Sequence, residues 1–312
     1  MNSSKRVRNL IELNIAVLLF GGTSLFAKLI DLPVPYIIFG RSAVAAVFLL
    51  LLCSAARIPM RPQSGKDLLV LAGLGAVLAV HWVTYFQAIR VSTVAVGIIS
   101  LHTYPVITTL VEPLVDRTRL RAFDAALAVV VVVGIMILVP EFSLASSISR
   151  GVLWGVGSAF LFTIRNLVVR RYVQRYSGPT MMLYQTAVSA LVLLPFVAAA
   201  GGLGPTIADW RRFLLLGTIF TAVAQSLYAA SLKHLSAKTV AIVATLLPLS
   251  GAVLAWLLLG EVPTIRTVIG GLVVIGAVVV ETVRAAGARD HPIAESPESG
   301  SNDRSEEHTS EL

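Results

Sequence analysis

Two stretches decide the fold: Tyr85 to Pro105, YFQAIRVSTVAVGIISLHTYP, and Tyr228 to Pro248, YAASLKHLSAKTVAIVATLLP. They are equally long, start on tyrosine, end on proline, and hold Arg90-Val91-Ser92 in register with Lys233-His234-Leu235. The matching continues on both sides. Pro35 and Arg41-Ser42-Ala43-Val44 answer to Pro179 and Gln185-Thr186-Ala187-Val188, Leu19-Phe20-Gly21 to Leu153-Trp154-Gly155, and Gly134 to Gly276. One match could be chance; an ordered series is an internal repeat, with a period of about 140 residues.

Each period is filled with apolar runs of roughly 20 residues, the length that spans a hydrocarbon core as helix. The chain has 312 residues, 56% of them hydrophobic and only 13% charged, with mean hydropathy +0.83. A soluble domain carries about a quarter charged residues, so this one lacks the polar side chains to clothe a water-facing surface. We read about ten spans: 10–30, 35–54, 68–89, 92–114, 122–139, 150–170, 179–199, 212–232, 238–259 and 264–284. Five per period is odd, so the second half enters the bilayer from the opposite side. The expected fold is an all-α integral membrane protein of ten transmembrane helices in two inverted five-helix repeats, 10–139 and 150–284. Such pseudo-twofold plans recur in secondary transporters, with substrate near the midplane between the halves. Residues 1–9 read as a cytoplasmic N-terminus and 285–312, rich in Ser, Glu, Pro and Asp, as a disordered cytoplasmic tail.

Loop charge orients the spans. With the N-terminus inside, the inside segments hold Lys5, Arg6, Arg8; Arg57, Arg61, Lys66; Arg117, Arg119, Arg121; Arg170, Arg171, Arg175; Lys233, Lys238; and Arg284, Arg289. The outside segments hold Arg90, Arg150, Arg211, Arg212 and Arg266, a bias of about threefold. Both termini are therefore expected in the cytoplasm of a bacterial cell, the protein lying in the inner membrane. The net charge of +8 is spent on these loop clusters, with no extended basic face, so nucleic acid is not an expected partner. The single cysteine, Cys53, rules out an intramolecular disulfide framework and a cysteine metal site. The expected partners are the lipid bilayer and a small-molecule substrate, with no cofactor and no metal, in a monomer or weak dimer.

Taken together, the five-plus-five halves, Arg41 after Pro35, the two mid-helix prolines and Leu259-Gly260-Glu261 before the last helix resemble the EamA-type drug/metabolite transporters. The closest resemblance is to the YddG-like aromatic amino-acid exporters, and it covers residues 10–284. One departure stands out: the first half has Arg117-Thr118 near the position of Gly260-Glu261. The resemblance implies export of small metabolites, with amino acids and some drugs as the substrate class.

Polar groups deep in a bilayer are costly and mark cavity-facing sites. His81, Trp82 and Tyr85 share neighbouring stripes of the third span, and His102 with Tyr104 follow in the fourth. Their repeat mates are Gln225 for Trp82, Tyr228 for Tyr85 and Thr245 for His102. Arg41, two turns into the second span, is paired by the repeat with Gln185. These ten residues are the expected substrate-binding set: aromatic faces hold an apolar side chain or a cation, and amides, hydroxyls and imidazoles orient the polar end. The alternative is that they tie helices together by hydrogen bonds. Pro105 and Pro248, placed inside helices at equivalent depth, are expected kinks and candidate hinges. Lys28, Arg165 and Asn166 are expected to snorkel to the headgroups, and the recurring glycines, Gly276 among them, to serve close packing. No carboxylate falls near mid-membrane, so proton coupling and facilitated diffusion both stay open. Drug or nucleotide-sugar transport is the rival of the same fold. An intramembrane enzyme or a channel is the rival class, the former disfavoured by the lack of zinc, aspartyl or Ser–His signatures.

Overall fold

The computed structural model describes residues 3–117, 119–120, 122–139, 141, 143–172, 175–199, 204–228, 239, 243–244 and 246–289. Every regular element among them is helical. In chain order they are α1 (Ser3–Thr23), α2 (Phe26–Leu29), α3 (Val34–Ala55), α4 (Gly65–Val91), α5 (Val94–Leu101), α6 (Tyr104–Asp116), α7 (Ala122–Leu138), α8 (Ser147–Tyr172), α9 (Gly178–Ala199), α10 (Ile207–Gly217), α11 (Leu247–Leu259) and α12 (Ile265–Arg289). A π-helical segment, Thr218–Val223, carries α10 onward to 228. Among the described residues, seven helical stretches are long and apolar enough to cross a membrane, and Ala122–Leu138 and Leu247–Leu259 are shorter apolar helices. Large apolar side chains such as Leu51, Leu69, Leu191 and Leu257 stay exposed on the outer faces, as a lipid solvent permits.

Local chemistry sets the helix ends. Ser64 caps α4 by accepting from Asp67 N–H, and Thr93 caps α5 by accepting from Val96 N–H. Thr206 and Asp209 form a reciprocal capping box on α10. Gly260, at φ +68°, closes α11 in the left-handed conformation that glycine adopts without penalty.

Two spans divide. The 10–30 run turns at Ser24 and Leu25, between α1 and α2, and the 92–114 run breaks at His102 and Thr103, between α5 and α6. Pro105 therefore lies in the first turn of α6, and Pro248 in the first turn of α11, not inside continuous helices as expected. Proline has no N–H to donate, and the first turn is where none is required, so the chain ends one helix and starts another. The ends also differ from expectation. Helix begins by Ser3, within the expected N-terminal segment, and α12 runs to Arg289, into the expected tail. The rest of that tail, 290–312, lies outside the described residues.

The helices pack in a definite pattern. α4 lies on α8 and α9, α5 on α8 and α11, α3 on α9 and α10, α1 on α11 and the π segment, and α7 on α12. Glycines allow the closest approaches. A Cβ on Gly155 would stand 2.4 Å from Ser100 Cβ, and one on Gly270 would stand 2.7 Å from Gly134 O. Gly276 meets nothing within 4 Å, contrary to its expected packing role.

The two ends of the bundle are chemically different. At one end, the α8–α9 turn meets the α3–α4 loop: Thr180 donates to Pro59 O, Tyr184 to Met60 O, and Tyr176 to Asp67. Arg170 pairs with Glu112 and Arg175 with Asp67 there. At the opposite, α4–α5 end, Leu25, Phe26, Ile30, Ile37, Phe86, Ile89, Val94 and Ile98 form a fully packed apolar plug. Arg90 donates to Leu32 O and Ile30 O across its rim.

Candidate functional site

Between plug and α8–α9 turn lies a cavity of about 500 Å³, lined from both halves of the chain. Its lining runs down to Arg170, Gly178 and Pro179, and Arg170 has a side chain 43% exposed, so the cavity communicates with the surface at the α8–α9 end. That volume suits a small metabolite.

One wall is aromatic. The His81 ring lies 6.5 Å from Tyr85 at an interplanar angle of 7° and 4.9 Å from Phe162 at 26°. Phe162 meets Tyr104 edge-on at 4.8 Å, and Tyr104 in turn faces His102 at 6.0 Å. The α5–α6 break is what turns His102 and Tyr104 into this wall, because His102 occupies the C-cap of α5 and Tyr104 starts α6. The opposite side carries Phe20 against Tyr228, with ring centres 5.7 Å apart.

Both histidines have a fixed tautomer. His81 Nδ1 lies 3.0 Å from Ser158 O, and His102 Nδ1 lies 2.9 Å from Ile98 O. A carbonyl can only accept, so each Nδ1 carries the proton and Nε2 remains the acceptor. Ser158 Oγ is also 2.8 Å from His81 Nδ1, a Ser–His pair that the sequence did not disclose. Ser158 is fully buried, does not line the cavity and donates to His81 O, so this pair knits α8 to α4.

Two guanidinium groups reach the cavity. Arg41, 4% exposed, stacks over Trp82 at 3.9 Å from the ring centre and donates through Nη2 to Thr221 at 3.0 Å. Thr221 belongs to the π segment and donates five residues back to Leu216 O. Such π insertions recur at functional sites because the extra residue re-aims a side chain. Arg165, 9% exposed, donates Nε–H to Gln185 Oε1 at 2.7 Å and lies beside Asn166 and Met182. Arg165 does not snorkel as expected. A cavity gives Arg165 polar partners inside the bundle, and Lys28 finds Ser92 O at 2.9 Å and Glu261 at 3.7 Å.

Of the expected set, Arg41, His81, Trp82, Tyr85, His102, Tyr104, Gln185, Gln225 and Tyr228 all line this one cavity. Thr245 lies outside the described residues, between the lining residues Ala244 and Leu247. Pro105 and Pro248 are not in the lining. Phe162, Arg165, Asn166, Phe20 and Thr23 are cavity residues that span reading missed or assigned elsewhere. Their positions follow from which way α8 and α1 face, and a helix apolar on every side carries no such signal.

No group of three metal-ligating side chains is found among the described residues. A second polar cluster lies away from the cavity. Arg284 bonds to Asp124 and Glu281, and Thr109 donates to Glu281 at 2.8 Å, joining α12, α7 and α6.

Comparison with known proteins bears on the whole membrane part. The family described as the EamA-like transporter family matches residues 10–139 and 149–282. The chain is 22% identical over 291 residues to the uncharacterized transporter YxxF of Bacillus subtilis (strain 168), covering 92% of this chain and 93% of that protein. It is 28% identical over 246 residues to the pseudopaline exporter CntI of Pseudomonas aeruginosa (strain UCBPP-PA14), covering 79% of this chain and 85% of the other. A protein crystal structure shares the fold at TM-score 0.61 and 16% identity, over 90% of this chain and 99% of its own.

Proposed function

The chain belongs to the EamA-like transporter family of membrane proteins, and from that premise we propose that it is a secondary exporter moving small metabolites by alternating access through the cavity between its halves. The observation that carries this reading is a cavity walled by aromatic, amide, imidazole and guanidinium groups from α3, α4, α8 and α9. The proposed cargo is an amino acid or an amino-acid-derived carboxylate, and the likeness to a pseudopaline exporter supports the outward direction.

The proposed architecture is ten spans in two inverted halves. Helix packing supports it, because exchanging the halves maps several of the main described contacts onto one another. α4 on α8 answers to the π segment on α1, α6 on α8 to α11 on α1, and α4 on α9 to α10 on α3. α3 with α9 and α7 with α12 map onto themselves. Pro105 and Pro248 start helices at matching places, so the breaks before them are the proposed hinges. The basic segments around Arg57, Arg117, Arg170 and Arg175 gather at the α8–α9 end, which supports a cytoplasmic location for that end in an inner membrane. The cavity is then open inward.

Counterflow into proteoliposomes tests the proposal, using a panel of radiolabelled amino acids with and without a pH gradient. Saturable counterflow that falls on Tyr85→Ala or Tyr228→Ala is the expected result. Response to the gradient would assign proton coupling, and indifference would assign facilitated diffusion. Conductance without saturation would refute the carrier. Movement of cationic drugs or nucleotide sugars alone would replace the cargo class.

A further inference from the structure

Among the described residues, the cavity lining carries two buried cations and no anion. Arg41 and Arg165 both line it, and neither has a carboxylate within ion-pairing distance among the described residues. Among the described residues, the cavity lining contains no Asp or Glu. Other cations are treated differently: Lys28, Arg90, Arg175, Arg212 and Arg284 each pair with a carboxylate. Arg170, at the cavity mouth, is paired with Glu112.

The partners that Arg41 and Arg165 do have are neutral. Trp82 offers Arg41 its ring face and Thr221 a hydroxyl, while Arg41 Nε is buried with no hydrogen-bond partner. Arg165 rests on the Gln185 amide oxygen, Asn166 and a thioether. Neutral dipoles hold a guanidinium in place without cancelling its charge, and an uncompensated buried ion is costly. An ionisable group kept inside a membrane segment at that cost is a functional group by default. What relieves the cost is a ligand that brings the missing negative charge.

We propose that the cargo is a net anion carrying two carboxylates, one met by Arg41 and the other by Arg165, with its apolar part on the His81–Phe162–Tyr104 wall. This rests on the reading of the cavity as the cargo site and narrows it. A planar guanidinium matches a carboxylate edge-on through two N–H donors, and the free Nε–H of Arg41 is one such donor. A cationic drug would add charge to a cavity already bearing two cations. A simple zwitterion would satisfy one arginine while its ammonium found no carboxylate in the lining.

The test is a charge series on one aromatic scaffold, measured by isothermal titration calorimetry on the purified full chain at neutral pH. The probes are phenylalanine amide, phenylalanine, N-acetylphenylalanine and phenylsuccinate, running from cation to dianion, with phenyl phosphate as the alternative oxyanion. Affinity is expected to rise along the series, with phenylsuccinate at least about tenfold tighter than phenylalanine, the scale of one hydrogen bond to a charged group. Arg41→Gln and Arg165→Gln should each erase that advantage, and Arg→Lys at either site should restore part of it. The wild-type series needs no variant, so misfolding of a variant does not shield the idea. A flat or reversed order, no binding of phenylsuccinate, or phenyl phosphate ahead of phenylsuccinate would overturn it. Amino-acid counterflow in proteoliposomes reports separately on the carrier: if it proceeds while the charge order is flat, only the two-carboxylate cargo falls.

Discussion

Glu261→Ala should open the plugged end of the bundle. The Glu261 carboxylate accepts from Val94 N–H at 2.8 Å, at the first turn of α5, and lies 3.7 Å from Lys28 Nζ. Lys28 also donates to Ser92 O. The latch thus joins α2 and α5 of the first half to the α11–α12 connection of the second, across the line along which the proposed alternating access would part them. A hydrogen bond to a charged group contributes about 1.5–3 kcal/mol. The Lys28 pair, with side chains 27% and 21% exposed, adds at most about 1 kcal/mol. Allowing for rehydration of the freed groups, the closed state should lose about 2 kcal/mol, a shift of roughly 30-fold in the ratio of the two states. The assay uses a Cys53→Ala background carrying Leu101→Cys, since Leu101 lines the cavity just below the plug. A membrane-impermeant thiol reagent added from the α4–α5 side should label this cysteine at least about tenfold faster once Glu261 is replaced. Lys28→Met should act in the same direction. Labelling unchanged within about twofold, with transport and melting temperature intact, would refute the latch.

Two further outcomes concern stability. Arg284→Gln leaves Asp124 and Glu281 buried without their cation and should cost about 3 kcal/mol or more, read as a lower unfolding midpoint in detergent. Thr206→Ala removes the α10 cap and should cost about 1 kcal/mol. The Thr206 hydroxyl and backbone N–H also hold the Asp209 carboxyl below its usual range, so this contribution is complete above the unfolded value of about 4 and fades as pH falls through the lower folded value. The difference in melting temperature between wild type and Thr206→Ala should therefore narrow toward acidic pH, leaving the pH-independent bond from Asp209 N–H to the Thr206 hydroxyl; a constant difference would show that the Asp209 carboxylate has no part in the cap.

Much of the cavity was legible in the one-dimensional pattern. His81, Trp82 and Tyr85 stand out because polar groups in an apolar run are rare. Gln225 and Tyr228 stand out because the repeat aligns them with Trp82 and Tyr85. Hydropathy and repeat register are sums or offsets along the chain, so the membrane class and the grouping of these residues needed no coordinates. The cavity itself needed them. Whether Arg165 reaches headgroups or Gln185 depends on how α8 is rotated, and an all-round apolar helix carries no record of its rotation. Whether Pro105 bends a helix or begins one depends on whether neighbours accept a broken backbone, here with Thr163 donating to Tyr104 O beside the break. The π segment that brings Thr221 to Arg41 leaves no mark in composition. Tertiary packing decided these points, because each is a contact between segments far apart in sequence. The sequence on its own determined which groups are too polar for lipid; the packing of the helices decided which of them face one another across the cavity.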